Sequence, residues 1–154
     1  MDFHPDGASE ACFKQMLEQF PYGIVLSDKQ RRVTWINRNF SQMCGYEFHE
    51  LLGMCPATLL QGAETDPVTS LEMKESLDAD KPCHVQILNY HKNGSTYWAD
   101  ICICPVYGDQ EEVEFYFGVS RDVTLEREKS EGINDYLMML YNRLSRVMGY
   151  PVPD

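Results

Sequence analysis

Residues 89–105, NYHKNGSTYWADICICP, decide the fold. Val85, Ile87, Leu88, Asn89 and Tyr90 form an apolar run that meets Lys92-Asn93-Gly94-Ser95. Asn-Gly supplies the positive-φ positions of a tight turn. The chain returns through Tyr97-Trp98-Ala99-Asp100-Ile101-Cys102-Ile103-Cys104, and Pro105 is expected to stop it. Side chains alternate across a strand. One face therefore carries Ala99, Ile101 and Ile103, and the other Trp98, Asp100, Cys102 and Cys104. Two unlike faces each need a partner other than plain solvent.

Outward from this hairpin, the residues upstream alternate between helix and strand signals. Asp66-Pro67 opens a helix through about Ala79, with Leu71, Met73 and Leu77 apolar, and Lys81-Pro82 breaks it. Residues 54–65, punctuated by Pro56 and Gly62, read as turn-rich and irregular. Asn37 is an N-cap for a short helix with Phe40, Met43 and Cys44 inward, ended by Gly45-Tyr46. A further helical turn runs from Glu47 to Leu52 and closes at Gly53. Gly23-Ile24-Val25-Leu26-Ser27-Asp28 and Val33-Thr34-Trp35-Ile36 are strands joined by Lys29-Gln30-Arg31-Arg32. Before them, residues 1–12 are polar and expected to be loose at their start. Residues 9–20 form an amphipathic cap helix, N-capped by Ser9, with Phe13, Met16, Leu17 and Phe20 at i, i+3, i+4 and i+7. Its apolar stripe is a candidate cover for the outer sheet face.

Downstream, Gly108-Asp109 turns the chain into a last strand, 113–119. The order β-β-α-α-α-β-β-β predicts an α+β fold: a five-stranded antiparallel sheet with short helices on one face and terminal helices over the other. Residues 125–149 read as one amphipathic helix, with Ile133, Leu137, Leu140, Leu144 and Val147 on an a/d seam of about two heptads. Gly149, Pro151 and Pro153 mark a stop and a tail, 150–154. The seam suits a helix docked on its own domain or one that extends a dimer.

The 154 residues favour one domain. A net charge of −11 argues against nucleic acid, which demands a basic patch. No stretch approaches the roughly 20 apolar residues of a membrane span, and the N-terminus lacks a signal peptide's basic and apolar regions. The six cysteines, at 12, 44, 55, 83, 102 and 104, form no C-x-x-C and read as reduced cytoplasmic thiols. No nucleophile elbow, phosphate loop or metal motif appears, so no catalysis is expected.

Asn37-Arg38-Asn39-Phe40, Gly45-Tyr46, Glu50-Leu51-Leu52-Gly53, Leu60-Gln61-Gly62-Ala63-Glu64-Thr65-Asp66, the Asn89 hairpin, Trp98, Pro105-Val106 and Gly118-Val119-Ser120-Arg121-Asp122-Val123-Thr124 together resemble a PAS domain over residues 14–124. The resemblance places the PAS core at 21–124 and implies a sensory and dimerisation module. It also implies a homodimer that feeds a downstream signalling protein or effector domain through residues 125–149. Within the family, Leu60-Gln61-Gly62, Glu64-Thr65-Asp66, Asn89-Tyr90 and Trp98 resemble the LOV branch of blue-light flavin sensors. That branch's motif, G-x-N-C-R-F-L-Q-G, carries the cysteine that bonds to the flavin. Here the stretch is GMCPATLLQG, one residue longer. Counted back from Gln61, the cysteine position holds Ala57 and a phosphate-binding arginine position holds Thr58; counted forward from Gly53, the cysteine position holds Pro56. Cys55 is off register in both frames. Ala99 and Ser120 stand where an asparagine and a glutamine would read the flavin, and Lys74 stands at a second phosphate-binding position. The resemblance therefore implies a sensor without the usual adduct chemistry.

For such a cavity, the side chains expected around a ligand are Val25, Ser27, Phe40, Met73, Asn89, Ile101, Ile103, Tyr116 and Ser120, with Ala57, Gln61, Lys74 and Ala99 at the family's contact positions. Flavin, FAD or FMN, is the favoured occupant; the same side chains also read as plain core. Asn89 stands out, because an inward amide is costly by about 1–3 kcal/mol unless paired. Haem would need an axial histidine, and only His49 lies near the family's pocket wall. Phe13, Met16, Leu17, Phe20, Trp98, Cys102, Leu137, Leu140 and Leu144 are the expected dimer or partner surface. The leading expectation is a ligand or redox sensor. A cofactor-free interaction module is the alternative, and a blue-light photoreceptor using Cys55 is the least favoured.

Overall fold

The computed structural model describes residues 10–148. Two compact units divide the chain, residues 1–122 and 123–154.

In the first unit, α1 (Glu10–Glu18) precedes β1 (Gly23–Ser27) and β2 (Val33–Ile36). Four helices follow: α2 (Arg38–Cys44), α3 (Phe48–Leu51), α4 (Pro56–Leu60) and α5 (Pro67–Asp78). The chain then makes β3 (Cys83–Tyr90), β4 (Thr96–Tyr107) and β5 (Val113–Asp122). The five strands form one antiparallel sheet in the order β2-β1-β5-β4-β3. The 89–105 hairpin forms in register, from Cys83 opposite Ile103 to Tyr90 opposite Thr96, with Gly94 at φ 88° in its turn. Val33, Ile36, Phe40, Cys44, Leu51, Leu60, Ile87, Tyr97 and Ala99 make the main core between the sheet and the small helices.

Several expectations need correction. Pro105 does not end β4. The strand continues to Tyr107, because β5 pairs with it out to Tyr107 opposite Val113, while β3 stops opposite Ile103. One side of residues 104–107 is therefore an open edge, where a proline is tolerated. The irregular stretch 54–65 contains α4, with Pro56 in its first turn, where the missing N–H costs nothing. β5 runs past residue 119 to Asp122, drawn on by the pairing of Arg121 and Asp122 with β4. Leu71, counted among the apolar residues of α5, is 54% exposed; Leu77 is the residue that this helix buries. The cap helix ends at Glu18 and not near Phe20, and of its stripe only Leu17 is buried, while Met16 and Phe20 are exposed.

Asn37 fixes the entry to the fold. Its Oδ1 accepts from the backbone N–H of Ile24 at 2.8 Å and of Phe40 at 2.9 Å. Its Nδ2 donates to the carbonyls of Leu17 at 3.0 Å and Tyr22 at 2.9 Å. One amide thus ties α1, β1 and α2 together with every polar atom used.

The second unit is α6 (Thr124–Met148). Ile133, Leu137 and Leu140 on the expected seam are exposed. The side chains of Leu144 and Val147 lie outside the description, as do residues 1–9 and 149–154, including the expected cap Ser9 and stop Gly149.

Candidate functional site

A cavity of about 110 Å³ lies between the inner sheet face and the small helices. The sheet contributes Val25 and Ser27 from β1, Asn89 from β3, Ile101 and Ile103 from β4, and Tyr116, Gly118, Val119 and Ser120 from β5. Phe40 of α2, Met73 and Leu77 of α5, and Ala57 and Leu60 of α4 form the opposite wall. Cys55 and Gln61, the residues flanking α4, complete it, with Pro56 and Arg31. Alternation explains the sheet's part, since Ile101 and Ile103 share the face opposite Cys102. Gly118 keeps the floor open: a Cβ there would meet Val25 Cγ1 at 2.7 Å.

Eleven of the thirteen expected contact residues stand on this wall. Ala99 and Lys74 do not. Ala99 is fully buried in the main core, opposite Ile87. Lys74 is exposed on α5 and pairs with Asp78 at 2.8 Å. His49 is exposed beside Glu47 at 3.3 Å and is not on the wall, so the haem ligand considered above has no place there. Sequence reading missed Arg31, Pro56, Leu60, Leu77, Gly118 and Val119. Cys55, off register in the sequence motif and considered only in the least favoured reading, does stand on the wall.

The polar groups have distinct environments. Asn89 is 3% exposed and its side chain faces the cavity. Across the strand pair, Tyr97 buries its hydroxyl without a hydrogen-bond partner. Burial pushes the Tyr97 pKa well up and the nearby Cys44 thiol adds to it. The Asn89 amide pulls it back without closing a hydrogen bond of good geometry. Ser120 Oγ has only the weak sulfur acceptor of Met43 at 3.9 Å. Gln61 Oε1 accepts from Ser70 Oγ at 2.6 Å, which leaves its amide N–H groups for other partners. Tyr116 Oη sits 3.3 Å from both the Leu77 carbonyl and Asp80 Oδ1; burial first, and then the Asp80 carboxylate, raise its pKa. At the rim, Arg31 Nη2 donates to Asp78 Oδ1 at 2.6 Å. Hydrogen bonds from Lys74 first, and Arg31 second, hold the Asp78 carboxyl below its usual value. Among the described residues, no cluster of three or more His, Cys, Asp or Glu could hold a metal ion.

A family model described as "PAS domain" matches residues 21–125. The chain belongs to the PAS family. Its relatives include blue-light-activated histidine kinase 1 of Erythrobacter litoralis, 30% identical over 125 residues, covering 77% of this chain and 34% of the kinase. They also include the nitrogen fixation regulatory protein of Klebsiella pneumoniae, 28% identical over 135 residues, covering 88% of this chain and 27% of the regulator. The PAS chain thus spans about a third or less of these relatives' lengths. Among solved structures, a light-oxygen-voltage domain studied with a flavin analogue superposes with a TM-score of 0.69 at 27% identity, over 83% of this chain and 95% of that one. An RNA-binding light-oxygen-voltage receptor shares the fold, with a TM-score of 0.79 at 19% identity over 92% of this chain and 41% of that one. The PAS domain described here is therefore LOV-like.

The donor set of the wall fits a flavin in kind. It is mostly apolar, with an inward amide at Asn89 and a cation at Arg31 on the rim. Size is the constraint. At about 110 Å³ the cavity is somewhat smaller than an engineered hole of about 150 Å³ that takes up benzene.

Proposed function

We propose that this PAS domain is the sensory module of a cytoplasmic signalling protein and that its cavity senses a small molecule or redox state, with flavin the first choice. The observation that carries this reading is Asn89: a 97% buried amide on the wall of an apolar cavity, beside a buried tyrosine hydroxyl that has no hydrogen-bond partner. Such groups are rarely left unpaired in a core. Asn89, Gln61 and Ser120 would hold the ring edges and Val25, Ile101, Ile103 and Met73 its faces. When bound, a flavin supplies the light- or redox-sensitive chemistry. A three-ring system needs more room than the present volume, so its entry displaces side chains of the helical wall. The signal then reaches a partner through the outer sheet face, with Trp98 and Cys102, and through α6 in a homodimer. The module itself senses and does not catalyse. A downstream kinase or effector is the partner class that the named relatives favour.

The test is the visible spectrum of the purified protein. A yellow protein that releases a flavin on denaturation is expected. A colourless protein with no extractable small molecule overturns the cofactor and favours an interaction module. Cys55 on the wall supports a second reading, a blue-light photoreceptor. In that case blue light bleaches the flavin band and Cys55→Ala abolishes the response; a light-inert spectrum rejects it.

A further inference from the structure

We propose that Arg31 makes the cavity rim an anion-receiving site, so that the natural occupant is an aromatic ring system bearing a phosphate or carboxylate. This deepens the reading above and rests on it only in that the cavity takes up a small molecule. Arg31 is, among the described residues, the one charged side chain on the cavity wall. It is not at either position where the resemblance placed a phosphate-binding residue: Thr58 is neutral and Lys74 is off the wall.

The backbone shows how firmly Arg31 is presented. It sits at φ 63°, the left-handed region, which is uncommon for a long side chain. Asp28 holds the turn there. Its carbonyl accepts from Arg31 N at 2.9 Å, and its Oδ1 accepts from Gln30 N at 2.9 Å and Arg32 N at 3.0 Å. The side chain reaches the end of α5, where its Nη2 meets Asp78 Oδ1.

There it already holds an oxyanion. Arg31 Nη2 donates to Asp78 Oδ1, while Lys74 takes Asp78 Oδ2 at 2.8 Å. Asp78 thus occupies the seat that a ligand's anionic oxygen would take, and it keeps Lys74 as a partner if Arg31 turns away. The other nearby carboxylate, Asp80, receives the Tyr116 hydroxyl. A guanidinium has five N–H donors in a planar fork, so one bond to Asp78 leaves donors for a second oxyanion. In a chain of net charge −11, this is an exception to the prevailing sign.

The experiment measures equilibrium binding of two matched pairs to the full chain in phosphate-free buffer: FMN against riboflavin, and benzoate against benzyl alcohol. Each pair differs chiefly by the anionic group, and the two pairs differ in size. The anionic member should bind about tenfold tighter, the scale of one partly wet charge-assisted contact, and added salt should shrink the preference. Arg31→Gln should abolish the preference by weakening the anionic member to the level of the neutral one. Asp78→Asn, which releases Arg31, should enlarge it. Melting curves report whether either variant is misfolded. An equal preference in Arg31→Gln, no preference in either pair, or no binding of any of the four compounds overturns the proposal. Binding of benzoate with an Arg31-dependent preference, but of neither flavin, would leave it standing and reject the flavin.

Discussion

Asn89 and Tyr97 face one another across β3 and β4, and they show how differently two buried polar residues read in a sequence. An asparagine between apolar strand residues stands out. A tyrosine in a strand does not, because its ring belongs in a core and only the structure shows that its hydroxyl has no partner. The Tyr97 ring stacks on His91 at 4.2 Å, and phenylalanine would preserve that contact. Tyr97→Phe is therefore expected to match or exceed the parent's stability at neutral pH, within about 1 kcal/mol. The pH dependence gives a second readout. The folded pKa of Tyr97 is raised, so the unfolded chain ionises near pH 10 while the fold keeps its proton. Stability from this group is complete below that pH and declines as pH rises through it. Burial raises Cys44 and Cys83 in the same sense from their ordinary value near 9. Denaturant unfolding between pH 8 and 11 should show a fall that Tyr97→Phe makes shallower without removing. Arg31 was unreadable for another reason: its aim depends on a left-handed turn that propensity does not announce.

The elements were legible where periodicity runs long. The β3–β4 hairpin and α6 carry their pattern over eight or more residues, whereas α5 was legible from its ends, Asp66-Pro67 and Lys81-Pro82. Helix α4, with five residues, is too short to show a period, and its proline reads as punctuation. The joint between elements was legible in part. Asn37 was expected as a cap, but its hold on Leu17 and Tyr22 depends on where α1 and β1 arrive. Asn37→Asp keeps the acceptor and loses both donated bonds, leaving a buried carboxylate facing two carbonyls. A loss of about 2–4 kcal/mol in denaturant unfolding is expected, larger than for a cap on an isolated helix. A loss under about 1 kcal/mol would show that α1 is held by something else.

For the whole molecule, the cavity wall was largely readable because it follows strand alternation, whereas its volume was not, since it depends on how closely α4 and α5 approach the sheet. Association belongs to this scale. Ile133, Leu137 and Leu140 recur on α6 at 4 and 3 residues and are exposed. Leu137→Asp with Leu140→Asp is expected to convert a dimer to a monomer in sedimentation velocity, with the melting of the sheet unit little changed. An unaltered sedimentation coefficient would assign dimerisation to α1 and the outer face of the sheet.

Strand β5 lies in the middle of the sheet although it comes last among the strands. Until the ribosome has released residue 122, the two hairpins have no backbone partner in common, and neither can close the core alone. Assembly must wait for a segment made some ninety residues after the strand it joins, so slow, late-committing folding is inherent in the strand order.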